Sequence, residues 1–197
     1  MPRVHFFRPE GTIHISPAQG AGFSIMQKFP RPERTLHAEG FLCYSVAMSQ
    51  SLSCVLLHLV FSTKNREPWL DADLRPRVFA YLAEAGRSMG CEVYRVNGTA
   101  DHIHMAVLMS RSLAIADFVK KVKAVSSVWI KEHGEHHSGF SWQAGYGVFS
   151  LGSSQLETLI GYIDGQEEHH RNKGFQEEFR MFLRKYGVEY DERYVWD

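Results

Sequence analysis

Two short stretches hold residue types whose spacing supports chemistry. In Asp101-His102-Ile103-His104-Met105 two imidazoles stand two positions apart. On an extended strand alternate side chains share a face, so His102 and His104 project together while Ile103 points to the opposite side. Two imidazoles on one face can bind a single divalent ion. In Gly161-Tyr162-Ile163-Asp164-Gly165-Gln166 a tyrosine and a glutamine stand four positions apart. On a helix that spacing makes them neighbours, about 100° from the apolar stripe that runs through Ile163. Tyr162 is then placed to reach into a site, with an amide one turn away.

Each signal has a plainer explanation. Eleven histidines in 197 residues give roughly 0.6 His-x-His pairs by chance, so the pair alone marks no site. A cupin-like centre or a zinc hydrolase would need a following acidic ligand, and Met105 to Met109 contains none. Asp101 either orients a histidine from behind or is a turn residue. An isolated helix tyrosine is commonly an amphipathic residue at a core edge. His169 and His170 either supply a further ligand or serve as cations at a helix C-terminus. His136-His137, flanked by Gly134 and Gly139, reads as a solvated loop.

The elements that must position these residues follow from periodicity. Ser51 to Thr63 is apolar and β-branched and reads as a central strand. Asp71 to Met89 carries Leu74, Val78, Tyr81, Leu82 and Ala85 at helical spacing and stops at Gly90. Cys91 to Val96 and Asp101 to Met109 read as a hairpin about the turn signal Asn97-Gly98. Leu113 to Glu132 is a second amphipathic helix, and Phe140 to Phe149 is aromatic and extended. A third helix runs from Ser153, as N-cap, to about Asn172, followed by a short helix with Phe175, Phe179, Phe182 and Leu183 and an extended tail. The order β-α-β-β-α-β predicts an α+β, ferredoxin-like antiparallel sheet with both helices on one face and the other face open.

Composition sets the outer bounds. The length suits one well-buried core. Residues 1–47 hold five of the seven prolines and no sustained periodicity, so they read as a flexible N-terminal extension, with Met48 the natural start and 48–197 a single catalytic domain. Cys43, Cys54 and Cys91 show no CxxC spacing, which fits neither a disulfide framework nor a thiolate zinc site and suits a reducing cytoplasm. No apolar run is long enough for a membrane span, so no membrane partner is expected. The formal net charge is +0, and without residues 1–47 it is −2, with 17 basic against 19 acidic residues. Nucleic-acid affinity therefore has to come from a local patch. Arg111, Lys120, Lys121 and Lys123 are candidates for phosphate contacts, with a solvated helix face as the alternative. Trp142 and Tyr146 could stack on bases, although core packing suits Trp142 better.

Taken together, SQSLSCVLLHLVFSTKNREP, DHIHM, KKVKAVSSVW, WQAGYGVFS, YIDGQEEHH and EYDERYVWD resemble the insertion-sequence-200-like tyrosine transposases of the HUH endonuclease superfamily, across nearly all of residues 49–197. The resemblance implies that His102 and His104 are paired metal ligands, Gln166 the third ligand and Tyr162 the nucleophile. It further implies Mg²⁺ or Mn²⁺ as cofactor and single-stranded DNA with hairpin ends as substrate. A homodimer is also implied, in which the tyrosine helix serves its own or its partner's site. Tyr162 would attack the scissile phosphate, a 3′-hydroxyl would leave, and a 5′-phosphotyrosine link would conserve the phosphodiester for rejoining. A domesticated relative that processes repeated palindromes, and a non-catalytic module that binds nucleic acid on the open sheet face, are the alternatives.

Overall fold

The computed structural model describes residues 51–170 and 174–196. The expected N-terminal extension and the expected helix end at Asn172 lie outside the described residues. The sheet contains β1 (Leu56–Ser62), β2 (Glu92–Gly98), β3 (His102–Leu108) and β4 (Gly147–Leu151), all antiparallel in the order β2-β3-β1-β4. Helix α1 (Arg75–Arg87) joins β1 to β2, and α2 (Ile115–Lys131) joins β3 to β4. The α+β class and the order of these six elements are those expected from the sequence.

Alternation along the two central strands divides the protein into two cores. Leu57, Leu59 and Phe61 of β1 and Ile103, Met105 and Val107 of β3 point to one side, where Val78 and Leu82 of α1 and Phe118, Val119 and Val122 of α2 cover them. Each such side chain contributes about 1.5–3 kcal/mol by leaving water, which makes this layer the main stabilising one. The intervening residues His58, Val60, His102 and His104 point the other way. In the β1–β3 ladder Val60 faces His104 and Ser62 faces His102, so His58 is a diagonal neighbour of His104.

The second face is not open. Helices α3 (Leu156–Asp164), α4 (Gln166–His169) and α5 (Phe175–Lys185) follow β4, and Phe175, Phe179 and Leu183 of α5 form a second core with Val60 and Phe149. Their spacing of four residues lays one apolar stripe along α5 against the sheet. Tyr190, Val195 and Trp196 pack on the same cluster. Arg180 binds both carboxylate oxygens of Glu192 at 2.7 and 2.9 Å, and the Trp196 indole donates to Glu192. The tail therefore folds back instead of extending.

Four local expectations also change. The third helix is broken at Gly165, a poor helix former that caps α3 through Gly165 N–H to Gly161 O at 3.1 Å. Ser153 is not its cap: the chain enters through a short 3₁₀ turn in which Gln155 Oε1 accepts from Gly152 N–H at 2.9 Å. Asn97-Gly98 completes β2, and the turn falls at residues 99–101. Asn97 instead reaches across to donate to Ile163 O at 3.0 Å and Asp164 O at 3.3 Å, tying the hairpin to the end of the tyrosine helix. The aromatic stretch meets the end of β1 through an isolated bridge between Trp142 and Thr63 and forms a strand only from Gly147; Trp142 is held in the first core by donating to Ser126 Oγ at 3.0 Å.

Gly98 has no room for a side chain. An added Cβ would lie 2.1 Å from the His102 carbonyl oxygen and 2.8 Å from Ile103 Cα, both backbone atoms of a central strand. Gly98→Ala is expected to destabilise the protein by roughly 2 kcal/mol or more. Urea unfolding followed by tryptophan fluorescence checks this, and an unchanged midpoint would contradict it.

Candidate active site

The histidine strand is fixed from behind at both positions. His102 Nδ1–H donates to Asp101 Oδ1 at 2.7 Å, and Thr99 Oγ donates to the same carboxylate oxygen at 2.8 Å. Burial alone would raise the Asp101 carboxyl, but these hydrogen bonds hold it below its ordinary value. His102 Nε2 is thereby left facing the second layer with its lone pair. His104 is fully enclosed, and its Nδ1 lies 2.9 Å from His58 Nε2. Burial, reinforced by neighbouring imidazoles, holds His104 well below the usual histidine range; burial and then the charge of Lys185 lower His58 to about 3. Both rings are therefore neutral, and a proton on His104 Nδ1 leaves Nε2 open to the site.

Helices α4 and α5 close the site from above. Gln166, buried at the start of α4, places Oε1 3.0 Å from His170 Nε2, and that nitrogen lies 3.0 Å from His102 Nε2. Glu178 sits on the inner face of α5 at 1% exposure. Its Oε2 is 3.2 Å from His170 Nε2 and 3.5 Å from His104 Nε2, and its Oε1 is 3.3 Å from His169 Nε2. Burial pushes this carboxyl up to about 8. His102, His104, His170 and Glu178 each offer a ligand atom within 4.8 Å of the others.

This donor set fits a divalent metal. His104 Nε2 and Glu178 Oε2 are buried with no hydrogen-bond partner among the described residues, although they are at ion-pair distance from each other. Lone pairs thus converge on one small volume with too few protons to pair them, which is costly unless a cation is shared. Imidazole nitrogens with carboxylate and amide oxygens suit a borderline or hard divalent ion.

Tyr162 stands beside this cluster in the same chain. Its ring centroid is 5.8 Å from His104, 6.0 Å from His58 and 5.5 Å from His169, each in edge-on contact. Its Oη is buried without a hydrogen-bond partner among the described residues. Gln166 stays one turn beyond it despite the break at Gly165, since Gln166 Nε2 reaches Tyr162 O at 3.4 Å.

The structure therefore brings together His102, His104, Gln166 and Tyr162, and adds Glu178 and His58, which the sequence reading missed. Each carried a signal: a carboxylate inside the apolar stripe of α5, and an imidazole inside an otherwise apolar strand. The four basic candidates are not at this cluster. Lys120 and Lys121 are exposed on α2, which covers the opposite face of the sheet. Lys123 spends its ammonium on the carbonyls of Gln143, Ala144 and Gly145 at 2.9, 3.4 and 2.5 Å and lies over the Phe61 ring. Arg111 donates to Ser51 O at 2.7 Å.

Residues 51–166 match the family described as Transposase IS200 like. The chain belongs to the IS200-like transposases. The family match takes in His102, His104, Tyr162 and Gln166 and ends before His170 and Glu178. A crystal structure of a presumed transposase from Deinococcus radiodurans R1 is similar at 21% identity and a TM-score of 0.49, over 60% of this chain and 95% of that one. A REP-associated tyrosine transposase bound to a REP hairpin is similar at 12% identity and a TM-score of 0.46, over 62% of this chain and 74% of that one. No curated protein matches the chain. Among the described residues no helix is long and apolar enough to cross a membrane.

Proposed function

We propose that this transposase, with a single catalytic domain over residues 48–197, cleaves and rejoins single-stranded DNA through a covalent 5′-phosphotyrosine on Tyr162. The observation that carries the reading is the packing of a buried tyrosine hydroxyl, without a hydrogen-bond partner among the described residues, beside a converging set of atoms that could hold a metal. His102 and His104 hold a divalent ion, Mg²⁺ or Mn²⁺, with Gln166, His170 and Glu178 as the remaining ligand candidates. When bound, the ion polarises a phosphate oxygen and offsets charge that builds up during in-line displacement. Asp101 and His58 fix the two imidazoles with their Nε2 atoms toward that position.

Tyr162 Oη attacks phosphorus, the P–O3′ bond breaks, and the 3′-hydroxyl leaves. A second DNA 3′-hydroxyl reverses the step without ATP because the phosphodiester energy is kept in the protein–DNA bond. A free phenol has a pKa near 10, so neutral-pH attack needs the positive field of the site. Hairpin-bearing single strands are the proposed substrate, from the family resemblance. His102, His104, Gln166, the further ligand candidates and Tyr162 lie together within one chain, which supports a site that a homodimer, also implied by the family, can assemble without exchanging tyrosine helices. A non-catalytic module that binds on an open sheet face is disfavoured, because α3, α4 and α5 cover that face.

The test is direct. The protein is incubated with Mn²⁺ and a labelled single-stranded hairpin oligonucleotide and resolved under denaturing conditions. A labelled band at the mass of the protein–DNA adduct is expected, and its absence with Mg²⁺, Mn²⁺ and Zn²⁺ alike would overturn the reading.

A further inference from the structure

Beyond the ligand cluster, Tyr162 also forms part of the wall of a separate cavity of about 510 Å³, between α3 and the end of α5. Leu159 and Tyr162 of α3 line it together with Phe182 of α5 and Tyr186, and the exposed residues Arg184 and Lys185 also line it. The size is in the range that takes a small organic ligand, larger than a packing defect. Its walls are aromatic and aliphatic, and Tyr186 is 38% exposed with its ring 4.9 Å from that of Phe149. Among the described residues neither Arg184 nor Lys185 has a carboxylate at ion-pair distance. By contrast, Arg75, Arg95, Arg180 and Arg193 are each matched to one. An apolar slot with aromatic walls and two cations that lack a carboxylate partner, Lys185 lying 5.7 Å over the Tyr186 ring, is complementary to a flat heterocycle linked to a phosphate.

We infer that this cavity receives the unstacked base of a single nucleotide flanking the scissile phosphate, with Arg184 and Lys185 on the adjoining backbone phosphates. The inference rests on the proposed cleavage function, because it is the shared Tyr162 wall that places the cavity next to the cut. An extruded base anchors the strand and sets which phosphate reaches Tyr162 Oη. Duplex DNA cannot supply such a base without unpairing, so the cavity also selects single strands. Sequence preference at this one position then follows from the shape of the slot, independently of any hairpin contact.

Binding is read by fluorescence anisotropy, so the test does not depend on cleavage. Full-length protein is titrated with hairpin oligonucleotides whose single-stranded arm carries one abasic site, moved position by position. One position is expected to weaken binding about 10-fold or more, the loss typical of a base–aromatic stack, with its neighbours changing far less. Thr158→Phe, which fills the cavity from an exposed position on α3, should weaken the intact oligonucleotide by a similar factor. It should leave the oligonucleotide abasic at that position unaffected, the non-additivity expected of one shared interaction. Arg184→Ala should reduce the salt dependence of binding to every oligonucleotide. Equal effects at all positions, or additive effects of Thr158→Phe and the abasic site, would overturn the assignment. Adduct formation by the wild type separately decides the cleavage reading.

Discussion

Tyr162→Phe is expected to abolish the covalent protein–DNA adduct, lowering cleavage at least about 1,000-fold, or roughly 4 kcal/mol of transition-state stabilisation. The change removes one oxygen and keeps the ring, which packs edge-on against His104, His58 and Phe182. The hydroxyl is buried and has no hydrogen-bond partner among the described residues, so its loss leaves no polar group stranded and should not destabilise the fold. Hairpin affinity and thermal midpoint should both be unchanged within error. This pattern separates a nucleophile from a packing residue, since a packing residue would lower the midpoint and leave an adduct. An adduct that persists in the variant would move the nucleophile elsewhere.

The second large effect concerns the ion. Mn²⁺ should raise the melting temperature of the wild type, because a ligand that binds only the folded chain stabilises it by about 2.7 kcal/mol at 100 times its dissociation constant. His104→Ala removes a buried ligand atom and should eliminate the shift together with the adduct. Glu178→Gln should weaken Mn²⁺ and also change its pH dependence. Burial raises this carboxyl from 4.5 to about 8, so between those pH values the metal-free folded state holds a proton that the unfolded chain has lost. That contribution to stability is complete below about 4.5 and disappears as pH rises through about 8. The ion must displace the same proton, so wild-type affinity should climb toward about pH 8. In Glu178→Gln this part of the slope should vanish from both the stability and the affinity curves. Parallel slopes in the two proteins would remove Glu178 from the ligand set.

The sequence by itself determined the alternation that puts His102 and His104 on one face, the one-turn spacing of Tyr162 and Gln166, and the order of the first six elements. These are local properties: strand and helix periods convert sequence separation directly into direction. The family resemblance joins the two stretches because its motif spans both. Only the tertiary structure decided what shares the site from further away. Glu178 lies 12 residues beyond Gln166 on another helix, and His58 lies 46 residues before His104 on a paired strand. Neither separation corresponds to a repeat of any element, so no period could place them. The covered sheet face has the same origin: the apolar stripe of α5 was legible, but its partner, Val60 and Phe149 on the sheet, is a choice made by packing. The basic residues show the converse. Lys120, Lys121 and Lys123 were conspicuous as a run in the chain, yet α2 carries them on the far side of the sheet from the histidines, whereas Arg184 and Lys185 reach the cavity beside Tyr162. Charge in a sequence states how much is present; the fold decides which surface receives it.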